Sequence, residues 1–275
     1  MPELPEVETA RLGLAPFVAG RAIAGVWIGR GDLRRPVPAG FGQCVSGRRV
    51  ESLDRRGKVM IWRLDDGGAV LIHLGMSGRV GVSAGEPPAA RHDHVRFRLD
   101  SGDVVTFHDP RRFGFVDYAA PGRLEFDPLL ARLGPEPLSP AFDAAALAAG
   151  LAGRAQPVKL ALLDQAVVAG LGNIYVCESL NRAGISPFAA AGSLGPRRVA
   201  RLAAAIRAVL AEAVAAGGST LRDHRRPDGG LGYFQMNFRV YDRAGSPCPS
   251  GRAGHVIKRV VQGGRSTYYC PVCQR

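Results

Sequence analysis

The sequence predicts an α+β protein of at least two domains. A helix leads an antiparallel sandwich or barrel, a helical domain follows, and a cysteine-bearing finger closes the chain. Three observations carry this expectation. Residues 21–120 read as short strands: His94-Val95-Arg96-Phe97-Arg98-Leu99 alternates at period two, and turn signals recur at Asp65-Asp66-Gly67-Gly68 and Asp100-Ser101-Gly102-Asp103. Beyond residue 140 the composition shifts to alanine and leucine at helical spacing. Three of the five cysteines, Cys248, Cys270 and Cys273, gather near the end. At 275 residues the chain also exceeds what one hydrophobic core normally serves.

The first element is announced by Met1-Pro2-Glu3-Leu4-Pro5-Glu6-Val7-Glu8-Thr9. Pro5 opens a helix, and Val7, Ala10, Leu14 and Phe17 recur on the face expected to meet a core. The short side chain after Met1 favours removal of the initiator, so the mature chain is expected to begin at Pro2. A secondary amine then sits beside the Glu3 carboxylate. An α-amino group has a reference pKa of roughly 7.7–8.0 against about 10.4 for lysine. Proline's amine is intrinsically more basic, and burial or a neighbouring cation lowers it. Held rigidly beside a carboxylate, it is a candidate covalent nucleophile toward an aldehyde-like carbon. Taken alone, the stretch reads better as an ordinary helix start, where acidic residues favour the macrodipole. The rest of the chain reverses that reading.

Leu133-Gly134-Pro135-Glu136-Pro137-Leu138-Ser139-Pro140 reads as a linker. The clearest helix after it spans about 196–216, with Val199, Leu202, Ile206, Leu210 and Val214 on one face and Gly217 as its stop. Ala169-Gly170-Leu171-Gly172-Asn173-Ile174-Tyr175 lies between two helices. Its backbone N–H groups suit a phosphate, and it is equally an ordinary tight turn capped by Asn173. Residues 217–232 are polar and glycine-rich, as expected of a mobile loop. From Arg222 to Arg265 nine Arg or Lys stand against three Asp, half of the chain's net charge of +12. A charge run usually marks a solvated face. Here it overlaps the cysteine cluster and favours a nucleic-acid-binding finger. The pI of about 10.2 also points to a polyanionic partner.

No apolar run approaches a membrane span, no basic anchor helix stands out, and the N-terminus is acidic rather than a signal sequence. A cytoplasmic protein of bacterial type, without a membrane partner, is expected. An odd number of cysteines fits a metal site better than a disulfide framework, with Cys44 and Cys177 as isolated, partly buried thiols.

Four separated segments resemble the bacterial formamidopyrimidine-DNA glycosylases, which excise oxidised purines such as 8-oxoguanine and formamidopyrimidines in base excision repair. They are Pro2–Thr9, His73-Leu74-Gly75-Met76-Ser77-Gly78, Asp109-Pro110-Arg111-Arg112-Phe113-Gly114, and Gly170–Tyr175. Gln262-Gly263-Gly264-Arg265-Ser266-Thr267 with Cys270-Pro271-Val272-Cys273-Gln274 resembles the same family's zinc finger. The resemblance runs nearly end to end, in order. It implies an N-terminal catalytic β-sandwich over 1–132, a helix-two-turn-helix DNA-binding domain over 133–235 and a zinc finger over 236–275, with damaged duplex DNA in the cleft between the halves of a monomer.

The resemblance also implies roles. Pro2 would attack C1′ of the damaged nucleotide, Glu3 would shuttle a proton as the sugar ring opens, and Glu6 would hold the terminus. Lys58, following Arg55-Arg56-Gly57 at the start of a strand, matches a phosphate-binding, proton-donating lysine. Arg265 matches the finger arginine of phosphate contact and δ-elimination. Met76, Arg111 and Phe113 would fill the space left by the flipped nucleotide, where apolar wedges and a hydrogen-bonding arginine make physical sense. Without the resemblance, Met76 and Phe113 read as core and Arg111 as a surface ion pair. His92, Arg154, Asn173 and Tyr241 match further DNA contacts. Zinc would be structural rather than catalytic. Two rivals are weighed. The endonuclease VIII relatives share the terminal Pro–Glu, but Pro2–Glu6 and Asp109–Gly114 argue against them. A non-catalytic lesion-binding module is disfavoured by the joint presence of Pro2, Glu3, Glu6 and Lys58.

The finger departs from the family. Two cysteines are usual on each side of its hairpin, yet the first side reads Cys248-Pro249-Ser250-Gly251-Arg252-Ala253-Gly254-His255. Gly251 and Ala253 stand where a second cysteine is expected. Three thiolates leave a tetrahedral zinc one ligand short. His255 is the candidate fourth, giving a Cys3His set of Cys248, His255, Cys270 and Cys273; the alternative is a solvated His255 in a finger that lacks metal and is held by strand pairing alone.

Overall fold

The computed structural model describes residues 2–219 and 232–275. Most of the expected loop at 217–232 lies outside them, as do the arginines at 222, 225 and 226 and the aspartates at 223 and 228. The chain divides into two units, one of 1–131 with 216–233 and one of 132–215 with 234–275.

In the first unit, α1 (Leu4–Val18) is followed by β1 (Ile23–Ile28) and a short α2 (Phe41–Val45). Then come β2 (Val50–Arg56), β3 (Val59–Leu64), β4 (Ala69–His73), β5 (Arg79–Ala84), β6 (Asp93–Leu99), β7 (Asp103–His108) and β8 (Phe115–Ala119). They form two four-stranded antiparallel sheets, ordered β1-β6-β7-β5 and β2-β3-β4-β8. Side chains of both sheets share one core, where Trp62 and Phe97 meet at 4.8 Å between ring centroids. The architecture is therefore a sandwich rather than a barrel. The predicted turns join β3 to β4 and β6 to β7, with Gly67 and Gly102 at positive φ.

Two details of the sequence pattern are corrected. On α1 Val7, Ala10 and Leu14 are buried, but Phe17 is 44% exposed and Val18 takes its place. At 3.6 residues per turn, Val18 returns to within about 20° of Val7, whereas Phe17 falls about 80° away. On β6 the alternation does not separate wet from dry. Val95, Phe97 and Leu99 face the core, yet His94 and Arg96 on the opposite face are also buried. The 86–88 segment covers that face, and Arg96 donates to the carbonyls of Pro87 and Pro88 and pairs with Glu86 and Asp93.

The second unit carries α3 (Ala144–Leu151), α4 (Val158–Leu163), α5 (Asn173–Ala183), α6 (Pro196–Ala215), and the hairpin of β9 (Lys258–Gln262) and β10 (Arg265–Tyr269). On α6 the expected face is buried at Val199, Leu202, Ile206 and Leu210, but at the last turn Ala213 is buried and Val214 only partly so. Asn173 does not cap α5: Gly172 occupies the cap position and Asn173 is the first helical residue. The β9–β10 turn is Gly263-Gly264, both at positive φ, the backbone that a two-residue hairpin of right-handed twist requires. Cys177 is fully buried and Cys44 exposed, so neither is the partly buried thiol expected. Among the described residues no helix is long and apolar enough to cross a membrane.

Candidate active site and nucleic-acid interface

The start of α1 is buried, with Glu3 and Glu6 each 1% exposed. Two buried carboxylates need hydrogen-bond partners or they cost far more than they contribute. Glu3 sits at the helix cap and its N–H donates to Glu6 Oε2 at 2.8 Å, one half of a reciprocal capping box. Glu6 Oε1 accepts from the N–H and the hydroxyl of Ser219 at 2.8 and 2.9 Å. Pro2, buried beside Glu3, is thereby attached to a rigid helix end. One turn on, burial alone would raise the Glu8 carboxyl, but Arg11 at 2.6 Å and Arg55 at 2.9 Å outweigh it and hold it below the usual range. Arg55 lies on β2, so its pair ties α1 to that strand, and Arg11, on α1 itself, adds a bond to the Leu53 carbonyl.

Lys58 lies in the two-residue turn between β2 and β3, one position before the strand that was expected to begin with it, beside Gly57 at φ +57°. The next residue, Val59, pairs with His73 on β4. Burial first, then the positive charges of Lys58, Arg34 and Arg35, push His73 down to about 4. The ring is therefore neutral at pH 7. It stacks on Phe115 at 5.3 Å, and Nδ1 accepts the N–H of Gly75 at 3.0 Å.

That bond shapes the start of the loop carrying Met76, which packs against the loop carrying Arg111 and Phe113. Gly75 has φ +61°, and a Cβ there would lie 2.3 Å from the carbonyl carbon of Phe113. The fully buried Asp109 accepts from Ser77 Oγ at 2.6 Å and from the N–H of Gly114 at 2.8 Å. Its own N–H donates to the carbonyl of His92 at 3.0 Å. Met76 and Phe113 stay 39% and 41% exposed, so neither is a core residue. The Arg111 guanidinium lies 4.9 Å from the Phe113 ring centroid, a cation–π contact rather than a surface ion pair. His92, edge-on to His108, is lowered by partial desolvation and then by Arg91.

In the second unit, Asn173 Nδ2 donates to the Ser266 carbonyl at 2.9 Å, next to Arg265, which is exposed at the start of β10. Lys159 joins it from α4: fully buried, it donates to Thr267 Oγ1 at 2.7 Å and the Ser266 carbonyl at 3.3 Å. Burial pushes this ammonium down, and Arg265 adds to the effect. Sequence reasoning passed over Lys159, although a lone cation inside Val158-Lys159-Leu160-Ala161-Leu162 was a signal. It also passed over Glu178, a buried acid on α5 that accepts the N–H groups of Arg239, Val240 and Tyr241. The Tyr241 ring packs on Phe238 and Tyr268. Arg154 donates to the Gly150 carbonyl and pairs with Asp164 at 3.1 Å. The thiols of Cys248, Cys270 and Cys273 converge, all within 4.8 Å of one another.

Residues 1–116 match the formamidopyrimidine-DNA glycosylase N-terminal domain, 133–225 the formamidopyrimidine-DNA glycosylase H2TH domain, and 254–275 a zinc finger found in FPG and IleRS. Formamidopyrimidine-DNA glycosylases of Paracoccus denitrificans and Rhodospirillum rubrum are 55% and 56% identical to this chain, over the whole of both sequences. The chain belongs to the formamidopyrimidine-DNA glycosylase family. Solved members superpose along its length. The MutM (Fpg) protein of Thermus thermophilus is 45% identical with a TM-score of 0.88, covering 99% of this chain and 98% of that one. The Lactococcus lactis Fpg in complex with abasic-site DNA is 31% identical with a TM-score of 0.90, covering 99% of each. The converging thiolates fit the structural zinc of the family's finger, since zinc favours sulfur ligands and a closed tetrahedral shell.

Proposed function

We propose that this family member is a bifunctional DNA glycosylase and apurinic-site lyase that removes oxidised purines, 8-oxoguanine and formamidopyrimidines, acting as a monomer on damaged duplex DNA. The observation that supports this most is the Glu3–Glu6–Ser219 arrangement, which holds Pro2 at a fixed, buried position beside a carboxylate. With Met1 removed, the Pro2 nitrogen lone pair attacks C1′ of the damaged nucleotide. The glycosidic bond breaks and its electrons leave with the base. The N–H proton that Pro2 loses on attack passes to Glu3. As the sugar opens, the C1′–O4′ bond breaks, Glu3 delivers that proton to O4′, and an iminium joins Pro2 to C1′. The iminium acidifies C2′, so loss of that proton expels the 3′ phosphate, and a second elimination expels the 5′ phosphate. Water then hydrolyses the iminium and restores the amine.

Lys58 is assigned to phosphate binding and proton donation, and Arg265 to a phosphate contact that assists the second elimination. Met76, Arg111 and Phe113, presented on loops anchored by Asp109 and His73, are assigned to the space vacated by the flipped nucleotide. His92, Arg154, Asn173 and Tyr241 are assigned to DNA contacts, Arg154 and Asn173 from a DNA-binding domain at 133–235.

Borohydride reduction in the presence of a duplex carrying 8-oxoguanine opposite cytosine tests the chemistry. Wild type is expected to give a covalent complex, and Pro2→Gly to lose it while duplex binding remains measurable. Trapping by Pro2→Gly at the wild-type yield, through Lys58 or any other amine, would overturn the assignment.

A further inference from the structure

We infer that His255 is the fourth zinc ligand of the finger, through Nδ1, completing a Cys3His site with Cys248, Cys270 and Cys273. The inference rests on the zinc-finger assignment and not on the glycosylase chemistry. The segment between Cys248 and His255 contains no second cysteine, and His255 is its sole nitrogen or sulfur donor of a type that binds zinc.

The backbone brings this donor back to the thiolates. The Cys248 N–H donates to the His255 carbonyl at 2.8 Å, and Pro247 and Val256 pair as an antiparallel bridge. Gly251 and Gly254, at φ +70° and +75°, turn the loop between them. His255 Nδ1 thus lies 3.2 Å from Cys273 Sγ, which is itself 3.7 Å from Cys248 Sγ. Around one tetrahedral zinc, bond lengths of about 2.3 Å to sulfur and 2.0–2.1 Å to nitrogen separate two sulfurs by about 3.8 Å, and a nitrogen from a sulfur by about 3.6 Å. The sulfur–sulfur distance at Cys273 matches its edge, whereas the nitrogen lies about 0.4 Å inside its own and His255 stands outside the group of three thiols that lie within 4.8 Å of one another. A metal there draws the half-buried imidazole from its contact with Cys273 toward the other two sulfurs. The other polar neighbour of Nδ1, Ser250 Oγ at 3.4 Å, is a weak partner and leaves the ring nitrogen available.

Purified wild type is expected to hold one zinc per chain. After exchange for cobalt, the visible spectrum should be that of a tetrahedral ion with three sulfurs and one nitrogen. His255→Ala should lower zinc affinity by more than roughly tenfold, a loss that even a change outside the ligand shell can give. His255→Cys should restore tight binding and shift the cobalt bands toward those of four sulfurs. In case the alanine variant does not fold, nitrogen shifts of His255 in zinc-loaded and zinc-stripped wild type supply an independent reading, with Nδ1 expected to move on loading. A wild type without zinc, an alanine variant with unchanged zinc affinity and cobalt spectrum, or a His255 ring indifferent to zinc would each overturn the proposal. None of these results depends on base excision, so the glycosylase reading stands or falls separately.

Discussion

At Glu6 a single side chain joins segments 213 residues apart, because each of its oxygens accepts from backbone or hydroxyl donors that would otherwise be buried unpaired. His73 works in the same way, as a neutral acceptor for Gly75. Its depressed pKa has a direct consequence for stability. The native ring titrates near 4 and an unperturbed histidine near 6.5, so between those values the unfolded chain binds a proton that the native state refuses. The contribution is fully present above about pH 6.5, declines as pH falls below that value and is lost as pH passes through 4, a loss of about 3 kcal/mol. His73→Asn keeps an acceptor for Gly75 but removes the titration. Urea midpoints at pH 7 and pH 4 should therefore lie closer together in the variant. Equal pH sensitivity in the two proteins would show that another group carries it.

At the scale of elements, glycines and one aspartate make the two loops of the sandwich mutually dependent. A Cβ at Gly75 would lie 2.3 Å from the carbonyl carbon of Phe113 and one at Gly114 2.5 Å from the carbonyl oxygen of His73, and Asp109 bonds across the gap. In the second unit, α5 plays the corresponding part through Glu178. Its carboxylate accepts three consecutive N–H groups at 2.8 to 3.0 Å and so fixes the segment 239–241 leading into the finger. Replacement by leucine would leave three donors without that acceptor, at roughly 1–3 kcal/mol for each donor left buried. Glu178→Leu is thus expected to lose at least about 3 kcal/mol in chemical denaturation. A loss below about 1 kcal/mol would mean that water replaces the carboxylate.

For the whole molecule, charge is the dominant property: Arg and Lys outnumber Asp and Glu by 36 to 24. Binding to undamaged duplex should weaken steeply with salt, with a slope of about −0.9 in log K against log salt for each phosphate neutralised. Arg265→Ala should lower the magnitude of that slope by about one unit if it contacts a phosphate. A flat response measured by fluorescence anisotropy would remove the basic face from the binding surface.

The parts of this protein legible in sequence are those whose cause is local. The strands and turns of 21–120, the helix ending at Gly217, the Gly263-Gly264 hairpin and the clustered cysteines all follow from periodicity, turn chemistry or ligand spacing within a few residues. Sequence also placed the chain in its family, because several short motifs occur in the right order. Tertiary structure alone decided which polar groups are buried and what satisfies them. Ser219 for Glu6, Thr267 for Lys159, the backbone of 239–241 for Glu178 and the covering of Arg96 by the 86–88 segment have no local signature. A backbone N–H or carbonyl looks the same at every position. Whether a charged side chain meets one or meets water depends on the long-range packing that carries it there.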